Sequence, residues 1–482
     1  MDTATRQLVV RTILAYFPHQ PTAGQRQACD LMAEFLFHPD PASLFLLKGY
    51  AGTGKTSLVS ALIQAAPAMQ IATQLMAPTG RAAKVLSGYS HKAARTIHKS
   101  IYATFTTPDG TLKTLRARNK ASHTLFIVDE ASMIGSHAQE VTRRSLLEDL
   151  IDYVQDGLHC RLMLIGDTAQ LPPVGMPESP ALQGDLLRSI AHVNLFECEL
   201  DEVVRQERQS GILRNATLLR SQIASLQAHD TPTLPLLNLA HSPDVTRIEG
   251  DQLEETLQQS YGSEQGEAVI VTRSNKRANL YNQAIRNRIL CREELANAGD
   301  HLMVVKNNYY WLQDDSDIPF IANGDIVEVL GLRHHQDLYG FHFADATLRF
   351  VDYPDANTVD CKVLLDTLTS NAPALTDEEA RRLYENVLAD YADLPNARDR
   401  VREAKRNPYL NALQVKFSYA LTCHKTQGGQ WPTVFIDQGY VTDEMLTRDY
   451  MRWLYTALTR ATRRVFLIGF HDKFFHDADT AS

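Results

Sequence analysis

The sequence predicts an α/β protein with two parallel-sheet cores. Three observations carry this prediction. An apolar run, Leu44 to Leu47, leads through a glycine-rich loop into a helical stretch, Leu58 to Ile63. The same order of apolar strand, loop and helix returns at Gln70–Ala77, Thr124–Val128 and Arg161–Ile165, as in a parallel sheet with helices on both faces. A fresh alternation then opens at Glu267-Ala-Val-Ile-Val-Thr272, with Lys276 to Leu290 as its helix.

At 482 residues the chain is long enough for two to four domains, each with its own core. Its composition, 44% hydrophobic and 22% charged, is ordinary for a globular protein. No apolar run approaches the ~20 residues that span a bilayer, and Met1-Asp-Thr-Ala-Thr-Arg-Gln7 lacks the basic and apolar regions of a secretory signal. A cytoplasmic location is therefore expected, nucleoid-associated in a bacterial source, with no membrane partner. The six cysteines are scattered without a Cys-x2-Cys pair, which fits reduced thiols. The net charge of −9 conceals a basic stretch: from Pro41 to Val128 eleven bases face one acid, Asp109. That balance points to a polyanion as partner.

The N-terminal segment reads as two helices, Thr3–Tyr16 and a second capped by Thr22 that runs to about Phe37. Gln25 lies just before the first strand, where an amide that both donates and accepts could read an adenine; otherwise it is a surface glutamine. Gly49, Gly54, Lys55 and Thr56 fit Gly-x4-Gly-Lys-Thr. In that motif the loop N–H groups and the helix start hold phosphates, the Lys reaches the β- and γ-phosphates and the Thr holds Mg²⁺. Gly52, Thr53 and Ser57 complete the expected nucleotide contacts. Asp129 and Glu130 end a buried strand, Asp129 suited to order an Mg²⁺ shell and Glu130 to position or deprotonate a water. Gln170 follows a strand at the crevice where open α/β sheets bind ligands, suited to sense a γ-phosphate. Thr79 either holds a nucleic-acid phosphate or is an N-cap only. Residues 102–120 alternate around Pro108-Asp-Gly110 and predict a basic hairpin with Phe105 near its tip, either a wedge between bases or a solvated edge.

Five of these stretches form a series. Gly-Tyr-Ala-Gly-Thr-Gly-Lys-Thr (49–56), Ala-Pro-Thr-Gly-Arg-Ala-Ala (77–83), Thr-Ile-His (96–98), Val-Asp-Glu-Ala-Ser-Met (128–133) and Gly-Asp-Thr-Ala-Gln-Leu-Pro-Pro-Val (166–174) come in the order of motifs I, Ia, Ib, II and III of superfamily 1 helicases. They are most similar to the RecD-like and Dda-like branch, superfamily 1B. Leu200-Asp-Glu-Val-Val-Arg-Gln206 resembles motif IV, Val415 to Trp431 motif V and Leu454 to Ala461 motif VI.

The resemblance implies two RecA-like P-loop NTPase cores. A first core (1–205) would carry N-terminal helices and a β-hairpin insertion at about 102–120. The second core (206–302 and 410–482) would be interrupted by an SH3-like β insertion with a helical arm (303–409). It also implies roles. Arg205 and Arg460 act as arginine fingers, and Gln427, Gly428 and Gln430 approach the nucleotide. Gly80, Arg81, Thr96, His98, Thr422, His424, Lys425 and Thr426 join Thr79 and Phe105 at the DNA. Gln430 stands where many members have an acidic step, replacing a carboxylate contact to the ribose by an amide. The expected activity is a monomeric helicase that spends ATP with Mg²⁺ to move along single-stranded DNA and open duplexes or forks, 5′-to-3′ by resemblance. The rival readings are a DNA-stimulated ATPase that remodels proteins without separating strands, and a small-molecule P-loop kinase.

Overall fold

A computed structural model of the protein describes residues 3–106, 112–136, 144–191, 193–203, 210–226, 234–240, 242–261, 267–312, 320–351 and 357–475. The first half contributes strands β1 (Leu44–Gly49), β2 (Ala72–Ala77), β3 (Ala94–Thr96), β4 (Tyr102–Thr106), β5 (Leu112–Arg116), β6 (Thr124–Val128), β7 (Arg161–Gly166) and β8 (Leu195–Leu200). Six of them form an all-parallel sheet in the order β3-β2-β6-β7-β1-β8. Parallel sheets are covered on both faces, so central strands are apolar throughout rather than alternating. Residues 44–47 and 124–128 are accordingly buried without a break. The helices Thr3–Leu14, Ala23–Leu36 and Lys55–Ala65 cover one face, and Leu146–Gln155 covers the other.

Strands β4 and β5 leave this sheet as an antiparallel hairpin, with Tyr102 opposite Arg116 and Phe105 opposite Lys113. The turn at 107–111 and the side chains of 104–114, Phe105's among them, lie outside the described residues. Charged and phenolic groups tie the hairpin base to the helix at 146–155. Tyr102 Oη donates to Asp149 (2.6 Å), and Arg116 donates to Asp156 just beyond the helix (2.6 Å).

The second half contributes β9 (Val245–Ile248), β10 (Ala268–Thr272), β11 (His301–Val304), β12 (Ile326–Leu338), β13 (Phe341–Phe350), β14 (Val359–Leu364), β15 (Leu413–Phe417), β16 (Ala420–Thr422), β17 (Trp431–Asp437) and β18 (Ala461–Ile468). A second parallel sheet runs β16-β10-β17-β18-β9, and β11 to β15 close a barrel. The barrel takes in β15, beyond the 303–409 segment expected for the insertion. The predicted helix over 276–290 is α-helical only from Asn275 to Ala284 and continues as a π turn, Ile285–Ile289. That turn carries Arg286 inward onto Asp300, which also accepts from Arg292 and Tyr419 at the junction of sheet and barrel. The helical arm, Asp377–Ala389 and Ala397–Arg406, packs Leu383, Val387 and Ala404 against Phe341 and Phe343 of the barrel. Ala169 and Leu171 of the first core sit in the apolar cluster of the second, so the cores are packed together. Among the described residues no helix is long and apolar enough to cross a membrane, and all six cysteines are free thiols.

Candidate functional site

After β1 the chain turns through Gly52 and Gly54, with φ of 75° and 77°, into the helix Lys55–Ala65. Left-handed backbone of this kind carries no penalty only in glycine. Gly54 caps the helix without a side chain, so the first-turn N–H groups stay available to an anion. Lys55 Nζ donates to the carbonyls of Gly49 (2.6 Å) and Tyr50 (2.8 Å).

The loop opens onto a cavity of about 960 Å³ between the two cores. Thr56, Ser57, Asp129, Glu130 and Gln170 line it from the first core, and Gln430 and Arg460 from the second. Asp129 accepts from Tyr89 Oη (2.7 Å) and from the Glu130 N–H (2.8 Å). Thr56 is exposed on the same cavity. One hydroxyl and one carboxylate fit an Mg²⁺ that keeps several waters and takes its other oxygens from phosphates. Burial pushes the Glu130 carboxyl up; the Arg460 guanidinium, 3.8 Å away across the seam, pulls it back, and Asp129 raises it again. A partly buried carboxylate poised between such influences is the usual character of a general base.

Four hydrogen bonds join the cores beside this cavity. The Ala51 N–H of the loop donates to Tyr455 Oη (2.9 Å), which itself donates to Asp167 (2.6 Å). The Leu171 N–H donates to Thr456 Oγ1 (2.9 Å), and Gln427 Nε2 donates to the Leu171 carbonyl (2.5 Å).

A separate groove of about 380 Å³ also runs along the seam. Thr79, Arg81, Thr96 and His98 reach it from the first core, His424 and Lys425 from the second, and Phe320 and Asn323 from the barrel segment. Thr79 and Thr96 each cap a helix start, accepting from the N–H groups of Ala82 and Lys99. The Arg81 guanidinium stacks 3.7 Å from the Trp431 ring centroid. Burial lowers the His424 imidazole and brings the Lys425 ammonium down to about 8, with no acid supplying an opposing pull on the lysine. A desolvated lysine ammonium beside the Arg81 guanidinium suits an anionic ligand, while the lowered imidazole is a neutral hydrogen-bonding group.

A family model described as an AAA domain matches residues 20–231, and one described as a UvrD-like helicase C-terminal domain matches residues 417–468. The ATP-dependent RecD2 DNA helicase of Deinococcus radiodurans is 32% identical over 35% of this chain and 23% of its own length. The ATP-dependent DNA helicase dda of Enterobacteria phage T4 is 29% identical over 38% of this chain and 39% of its own. These matches support the reading of the chain as a superfamily 1B helicase. An uncharacterized Acanthamoeba polyphaga mimivirus protein, R530, is 22% identical over 92% of the helicase and 98% of its own length. Bacteroides Pif1 helicase, solved with ADP-AlF3 and single-stranded DNA, superposes over 95% of both chains at 14% identity and a TM-score of 0.47. The helicase thus spans nearly all of the mimivirus protein but well under half of the two named helicases.

Several residues expected at the helicase's nucleotide stand elsewhere. Gln25 is buried; its amide oxygen accepts from the Thr22 N–H (3.0 Å) in the capping box of the helix Ala23–Leu36, and its amide nitrogen donates to the Thr53 carbonyl of the phosphate loop (3.0 Å). Thr53 is buried, with its hydroxyl on the Tyr50 carbonyl. Gln427 faces the groove rather than the nucleotide cavity. Gly428, at φ 71°, lies against the first core, where an added Cβ would meet the Ala82 Cβ at 2.6 Å. On the DNA side Thr426 is fully buried and donates to the Cys423 carbonyl (2.7 Å), which removes it from the groove. Gly80 is buried at a helix start, and Thr422 caps the short helix after β16; neither lines the groove. Arg205 lies outside the described residues. Sequence reasoning missed Tyr89, Tyr455 and Trp431, because an aromatic residue's task is revealed only by partners that lie far from it in the sequence.

Proposed function

We propose that this helicase couples ATP hydrolysis to translocation along single-stranded DNA, 5′-to-3′, and separates strands at the hairpin formed by β4 and β5. The observation that carries the coupling is that the nucleotide cavity and the basic groove are seams between the same two cores. Phosphates drawn between Lys55 and Arg460 tighten one seam, and the second core carries His424 and Lys425 with it along the other. In the chemical step Glu130 activates water, Arg460 stabilises the transition-state charge, Lys55 and a metal held by Thr56 and Asp129 neutralise the phosphates, and Gln170 senses the γ-phosphate. Arg205 is assigned a second finger by motif resemblance, which is also the ground for the direction of movement and for a monomer acting at forks.

Unwinding of 5′-tailed against 3′-tailed duplexes tests activity and direction together, with 5′-tailed substrates expected to open. Opening of 3′-tailed substrates alone would reverse the assigned direction. The remodelling ATPase is separated from a helicase by Phe105→Ala, which should depress unwinding while DNA-stimulated hydrolysis persists. Loss of neither would remove the wedge assignment.

A further inference from the structure

Next to the nucleotide cavity, and sharing Tyr50, Asp167 and Gln170 with it as a wall, lies a second cavity of about 190 Å³. It is lined further by Ser132 of the first core and by Arg220, Arg448 and Arg452 of the second. Buried polar atoms without a hydrogen-bond partner are rare in folded chains because each is costly. Four such atoms belong to residues of this one lining: Ser132 Oγ, Gln170 Oε1, Arg448 Nε and Arg452 Nε. Ser132, Gln170 and Arg452 are only 2%, 7% and 4% exposed. The rest of the Arg452 fork is bound by the protein, Nη1 to the Pro177 carbonyl (2.6 Å) and Nη2 3.9 Å from Glu178. Two carboxylates also line the cavity, but neither governs it. Asp167 is occupied by Tyr455 Oη and the Ala169 N–H, and the Glu178 side chain is half exposed.

A hydroxyl and guanidinium groups lining one small cavity are the donor set of a tetrahedral oxyanion. The Gln170 amide can meet either a bare or a protonated oxygen of that ion. We propose that this cavity binds inorganic phosphate, which reaches it from the nucleotide cavity past Gln170. The proposal rests on the reading of the larger cavity as the site of ATP hydrolysis. There the water oxygen bonds to the γ-phosphorus and the bond to the bridging oxygen breaks, its electron pair staying on ADP. The water proton passes to Glu130 or solvent, so the product is hydrogen phosphate. Ser132 and the arginines belong to opposite cores, so phosphate held there bridges the seam after the chemical step.

The test is equilibrium binding of inorganic phosphate, by calorimetry or phosphorus NMR, to the full chain carrying Lys55→Ala, in which the phosphate loop is disabled. One bound phosphate is expected. Adding Arg448→Gln, or separately Ser132→Ala, should weaken it about ten-fold or more, and Arg448→Lys should recover part of the loss. Ser132→Ala removes a hydroxyl with no partner in the fold, so loss of binding there is not a folding defect. No bound phosphate, or equal binding by both variants, overturns the site. Displacement of phosphate by a single-stranded oligonucleotide overturns its assignment to the hydrolysis product and gives the cavity to a backbone phosphate of the strand. Failure of the unmodified chain to hydrolyse ATP overturns the reading beneath the proposal, and it is told apart because phosphate binding is measured without hydrolysis.

Discussion

Lys55 gives its ammonium to two loop carbonyls, bonds it must exchange for phosphate oxygens when it works. Lys55→Ala should therefore abolish hydrolysis and unwinding while single-stranded DNA binding, held by other residues, is largely kept; an anisotropy titration checks the second half. Arg460 is the cation that crosses the seam to Glu130, so Arg460→Ala should slow hydrolysis on the order of 10³-fold, the scale of arginine fingers in other NTPases. Lys425 carries a pH signature. Burial brings it to about 8, and a DNA phosphate beside it would raise that value again. Above pH 8 the complex then holds a proton that the free protein has lost, so affinity for DNA should fall as pH rises from about 8. Lys425→Arg, which stays charged, should flatten that fall. Tyr455 has a different kind of task. Its hydroxyl satisfies the Ala51 N–H and Asp167 at once, and Tyr455→Phe should lower unfolding stability by about 1–3 kcal/mol in a denaturant titration, the cost of orphaning buried polar groups.

Elements show how far pattern reading reaches. The hairpin was legible because turn residues and alternation are local properties, and its strands pair at 102–106 and 112–116. The anchors of its base on Asp149 and Asp156 were not legible, since they lie 40 or more residues away. Motif resemblance placed Gln427, Gly428 and Gln430 against the nucleotide; Gln430 does line that cavity, whereas Gly428 meets the start of the helix Gly80–Ser90. A glycine is demanded there by a left-handed φ and by a neighbouring core, neither of which spacing encodes. Gly428→Ala should push this loop off the first core and reduce DNA-stimulated more than basal hydrolysis. The helical arm rests on the barrel through Leu383 and Val387; Leu383→Ala should cost about 2–5 kcal/mol of stability and leave hydrolysis by the folded protein unaltered.

At the scale of the molecule, the chain's acidity is offset by where its bases gather. The helicase has a net charge of −9, yet its groove takes the cations Arg81 and Lys425 from two cores. The affinity for single-stranded DNA should therefore drop steeply with salt, and Lys425→Ala should reduce the slope of log affinity against log salt by about 1. The sequence by itself determined the two parallel-sheet cores, the phosphate loop and the Asp129–Glu130 pair, because each is written in a contiguous stretch with a fixed period or spacing. Tertiary structure alone decided which side chains share a cavity. Arg460 meets Glu130 across 330 residues, the Tyr455 hydroxyl meets the phosphate loop across 404, and Gln25 turns from a prospective base reader into a brace beneath that loop. The reason is physical: a motif constrains backbone conformation within a few residues, whereas the partner of a side chain depends on how separately folded layers pack against one another.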